Sequence, residues 1–175
     1  MGLGITHLLT ALSEILYQPK HLKFYWPHAI WVYFILFLFI QDWIISYQLK
    51  DKNIWYFHEV LFVLLYPILL FGAAKMLLPT HAGEEQQDMK AFYFHQYPAI
   101  FTIMGISALV SLLFNHFLLR VEPIEQLPIF VLLLLLFFMV FKQPKNEVYH
   151  KALALIVLLS SILSLIIARE IWVIK

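Results

Sequence analysis

Cysteine is absent from all 175 residues, which removes disulfides, thiolate metal ligands and a cysteine nucleophile together. Charge is scarce as well: 13% of residues are charged and the formal net charge is +1, so there is no basic footprint for nucleic acid. No glycosylation sequon occurs, the asparagines reading Asn53-Ile-Trp, Asn115-His-Phe and Asn146-Glu-Val. His58-Glu59-Val60-Leu61-Phe62 begins like a zinc-protease helix, but Phe62 stands where the second histidine belongs. Gly2-Leu3-Gly4 has no nucleotide-binding continuation. Ser160, Ser161 and Ser164 have no His or Asp at a useful helical spacing and read as packing residues. No Lys or Arg precedes the first apolar run, so a signal peptide is not expected. The MGLGIT opening matches a bare myristoylation pattern and is read as a chance match.

What remains is apolar. Hydrophobic residues make up 62% of the chain and the mean hydropathy is +0.81, far from the soluble average. The run from Phe24 to Leu49 sets the class: 26 residues that, as a helix, would reach about 39 Å, beyond the roughly 30 Å hydrocarbon core of a bilayer. Tyr25, Trp26 and Tyr47 stand at its ends, where interfacial aromatics belong. Further apolar segments cover 3–17, 54–78, 98–119, 127–141 and 148–173. The expected fold is an all-α, polytopic transmembrane bundle of six helices forming one domain over 1–175, with the lipid bilayer as its principal partner. The first segment is short for a span, about 22 Å. It suits an interfacial helix or a short span whose stripe of His7, Thr10, Glu14 and Tyr17 faces the bundle, and the second is the expectation. Pro67 should kink the third helix, and Pro98 should divide the fourth into an interfacial piece, 88–96, and a span. The segment 127–141 carries no polar side chain and is expected to face lipid. Ser160, Ser164 and Ala168 form a small-residue stripe suited to close helix packing. If all six segments span, seven Lys fall on one side against five Lys and Arg on the other, a weak signal placing both termini outside.

Alternating the helices across the membrane turns sequence position into depth. The face carrying the second and fourth loops then collects His7, Gln41, Asp42, His58, Glu59, Asn115, His116, Arg169 and Glu170. Helix ends are also where ionisable groups cost least, because they can reach headgroups or complement the helix dipole. Asp42 resists that explanation: its side chain is short and it stands about 10 Å from the end of its helix. A carboxylate at such depth ordinarily faces a bundle interior or a watery cavity. On the opposite face lies a looser set, Glu14, His28, Lys75, Asp88, His95 and His150, whose histidines are read as solvated or interfacial.

Short motifs, GLGITHLL, YWPHAIW, Gln41-x-Trp43, LLYPILL and DMKAFYF, resemble segments of a group of small six-helix bacterial inner-membrane proteins. The resemblance covers the first four helices and implies architecture and a bacterial inner membrane, but no activity. Two functional expectations follow from the residues. The first is a proton or cation channel, transporter or ion sensor, with Asp42 and Glu59 bearing charge, His7, His58 and His116 titrating beside them, Gln41 and Arg169 as polar neighbours, and homo-oligomers packed through Ser160, Ser164 and Ala168. The second is a metal- or haem-binding membrane protein ligated by His58 and His116. A non-catalytic sensor or assembly subunit is the third reading, and an enzyme is not favoured.

Overall fold

The computed structural model describes residues 2–17, 22–78 and 87–167. Within them the chain forms six helices: α1 Gly2–Tyr17, α2 Trp26–Gln48, α3 Phe57–Leu77, α4 Met89–Phe117, α5 Leu127–Lys142 and α6 Glu147–Ile167. Four of these (α2, α3, α4 and α6) are long and apolar enough to cross a membrane, while α1 and α5 are shorter apolar helices. A two-residue parallel pairing, Leu22–Lys23 against Gln87–Asp88, ties together the segments that precede α2 and α4.

The helix boundaries follow local chemistry. Pro27 and Pro128 occupy first-turn positions of α2 and α5, where a missing N–H leaves nothing unsatisfied. Asp88 caps α4, its Oδ1 accepting from the backbone N–H groups of Lys90 and Ala91 at 2.9 and 3.2 Å. Gln143, left-handed at φ 43°, ends α5, and Pro144 follows it.

Pro98 does not divide the fourth helix. α4 runs unbroken for 29 residues, because Tyr93, Tyr97, Ile100 and Phe101 bury the wall on either side of the proline. The Pro98 carbonyl in turn accepts from Thr102 Oγ1 at 2.7 Å. α3 likewise passes through Pro67. Neighbouring helices make such prolines tolerable inside a membrane bundle.

Nor does the fifth helix face only lipid. α5 lies along α4, burying Leu133, Leu136 and Met139, and Phe137 packs 3.3 Å from where a Cβ on Gly105 would stand. α1 is built into the bundle rather than laid across its edge: Leu8 is fully buried and Gly4 abuts the Phe39 ring so closely that no Cβ would fit. α6 rests mainly on α2 and touches α5 only sparingly, although four residues join the two.

Candidate functional site

Between the two helix pairs α4–α5 and α2–α6 lies a cavity of about 190 Å³, with α3 closing it from a third side. All five helices line it in the half of the bundle where α2 ends and α3 begins. Its polar lining consists of Gln41, Asp42 and Ser46 from α2, Tyr66 from α3, Ser107, Ser111 and Asn115 from α4, and Ser160, Ser161 and Ser164 from α6. Asp42 is the one charged side chain among the described residues lining it; no Lys, Arg or His takes part.

Asp42 is 8% exposed, and its Oδ2 is buried without a hydrogen-bond partner among the described residues. A buried carboxylate oxygen left unpaired is costly and calls for a proton, a water or a cation. The surrounding hydroxyls suit a positively charged occupant. Ser107 donates to the Ile103 carbonyl at 2.8 Å and Ser160 to the Val157 carbonyl at 2.9 Å. With its proton committed to its own helix, each oxygen keeps only lone pairs to offer. Ser161 donates to the Leu158 carbonyl at 2.8 Å, which leaves its oxygen to accept from the Tyr33 hydroxyl, 3.4 Å away. Ser160 and Pro128, on either side of the seam between α5 and α6, line the cavity and are also exposed.

Of the residues singled out from sequence, Asp42, Gln41 and Asn115 lie at this cavity, as do Ser160 and Ser164 of the packing stripe; Glu59, His58, His116 and His7 do not. Glu59 serves its own helix start: Oε1 accepts from Lys52 Nζ at 2.6 Å and Oε2 from the Tyr56 N–H at 3.0 Å. His58 is exposed and stacks on Tyr56, and His116 is exposed beside Phe117. His7 stands edge-on to Phe71, about 21 Å along α3 from Phe57, deeper than a helix entering at the boundary would carry it. Depth arithmetic misplaces His7 because α1 is short and begins beside Phe39, partway along α2. No group of three or more His, Asp or Glu is gathered closely enough to hold a metal among the described residues. Arg169, Glu170 and Ala168 lie outside the described residues, as does the side chain of Glu14.

Sequence reasoning passed over the hydroxyls. Ser107, Ser111 and Asn115 recur every four residues on α4, a polar stripe along one face, and Ser46 follows Asp42 by four. That periodicity was the available signal. The serines of α6 were assigned to packing alone; three of them line the cavity.

The opposite end is aromatic and closed. His28 and His150, expected to be solvated, are 4% and 0% exposed. His28 Nε2 donates to the Leu77 carbonyl at 2.6 Å. His150 Nε2 donates to the Pro144 carbonyl at 2.9 Å, which makes Nδ1 the acceptor for the Tyr93 hydroxyl, also 2.9 Å away. Tyr93, Phe94 and Tyr97 enclose the His150 ring with centroids 5.4, 4.7 and 4.6 Å away. Glu147 binds both Lys90 and Lys151. Burial, and then the Glu147 carboxylate, push the Tyr25 phenol up to about 12, so it stays protonated.

No family model, curated protein or solved structure matches the chain.

Proposed function

We propose that this chain is an integral protein of a bacterial inner membrane in which Asp42 centres a cation site, serving as a carrier or sensor for a proton or another small cation. The observation that carries the reading is the Asp42 carboxylate, with one oxygen buried and without a hydrogen-bond partner among the described residues, at a cavity built by five helices. An intramembrane carboxylate in such a setting typically marks an ion or proton pathway. The lone pairs of Ser107 and Ser160 supply neutral oxygen ligands beside a single negative charge. The test is flux in proteoliposomes holding the purified chain and a pH-sensitive or sodium-sensitive dye. An imposed gradient is expected to dissipate with the native chain and not with Asp42→Asn. Equal dissipation by the two would sink the reading.

A further inference from the structure

We infer that the occupant of the Asp42 cavity is an organic ammonium ion carrying an apolar substituent, entering from the lipid through the seam between α5 and α6; this rests on the cation-site reading above. Three features select that class. The first is size. An enclosed cavity of roughly 150 Å³ accepts a benzene molecule, so about 190 Å³, open at one side, suits a benzene-sized group with a small cationic head. A bare inorganic ion would leave most of that space empty.

The second is the wall. Phe34, Phe37, Phe62, Tyr66 and Phe114 supply aromatic side chains around the one carboxylate. A desolvated metal cation needs about six or more close oxygen ligands, which rings cannot provide. The alkyl groups around an ammonium nitrogen, by contrast, are well received by aromatic faces, which attract the spread positive charge as well as the apolar surface. Asp42 offers one negative charge, which matches a singly charged occupant.

The third is the route. α5 and α6 are joined by four residues at one end, with Phe138 and Tyr149 in ring contact near that join. Farther along, Pro128, Ile129 and Leu132 line one side of the cavity and Ser160, Ser161 and Ser164 the other. Exposed Pro128 and Ser160 flank the seam, and the exposed surface of both helices is apolar at Val131, Leu134, Leu159 and Leu163. An amphipathic cation already dissolved in the bilayer would meet this seam directly.

The experiment is calorimetric titration of the purified full chain, in maltoside micelles, with phenyltrimethylammonium and separately with tert-butylbenzene, its uncharged isostere. Saturable binding of the ammonium is expected, with the isostere weaker by more than about tenfold and Asp42→Asn weakening the ammonium by a similar factor. Phe62→Leu keeps much of the apolar volume while removing a ring, and should weaken the ammonium by about three- to tenfold; it serves if Asp42→Asn does not yield a monodisperse protein. Equal affinity for the two probes, or no loss in either variant, overturns the inference. If the ammonium does not bind while dye-reported flux still depends on Asp42, the ammonium assignment fails and the cation site stands. If neither binding nor flux depends on Asp42, both fail.

Discussion

The two ends of this bundle handle buried polarity in opposite ways. At the end where α4 and α6 begin, His28 and His150 are buried in the core, and His28 Nε2 and both ring nitrogens of His150 carry hydrogen bonds. Glu147 there is held by two lysines, and Asp88 is consumed in capping α4. Among the described residues of that end, the Tyr25 hydroxyl and Trp31 Nε1 are the buried donors left without a partner. At the other end Asp42 keeps an oxygen without a partner among the described residues, beside open space, and Ser107 and Ser160 in the same lining bond back to their own helices. Satisfied polar groups in a membrane bundle hold helices in register. A buried carboxylate beside a cavity is the feature on which the proposed cation site rests.

That contrast can be broken most decisively at its two centres. Asp42→Asn should bring cation flux to background while the melting temperature in detergent holds or rises, because a neutral amide is cheaper to bury than a carboxylate; a lower melting temperature with unchanged flux would make Asp42 structural. His150→Ala should do the reverse. It orphans the Tyr93 hydroxyl and the Pro144 carbonyl and leaves a void among Tyr93, Phe94 and Tyr97, at a cost of about 2–4 kcal/mol. Reversible denaturation in mixed micelles would measure this loss, with binding at the Asp42 cavity retained at temperatures where the fold persists. A smaller effect tests the seating of α1. Gly4→Ala should cost about 1–3 kcal/mol by forcing the Phe39 ring aside, and Phe39→Leu in the same chain should restore part of it. The smallest change is expected at Glu59. Its pairing with Lys52 lies in the exposed turn before α3, so Glu59→Gln should leave flux unchanged and shift the melting temperature only within scatter. A flux defect there would return Glu59 to the site.

The membrane class, the helix count and the burial of Asp42 were legible along the chain because each depends on local quantities: run length, hydropathy and one short acid far from a helix end. Glu59 and His58 lie only one position apart from each other and carried the same signal, yet both were drawn into helix-start contacts with Tyr56. The histidines could not be ranked from sequence, since burial of His28 and His150 and exposure of His116 depend on which face each helix turns inward. Pro98 misled for a similar reason. Its local cost is real, but aromatic packing on either side carries α4 through it.

Hydropathy alone therefore established that this chain belongs in a bilayer and about how many helices it can build there, because transfer into lipid is decided residue by residue. Which polar groups meet was settled only by tertiary packing. α5 leaning on α4 and α6 on α2 leaves a space between the pairs, and the rotation of each helix about its axis sends hydroxyls, rather than imidazoles, to stand around Asp42.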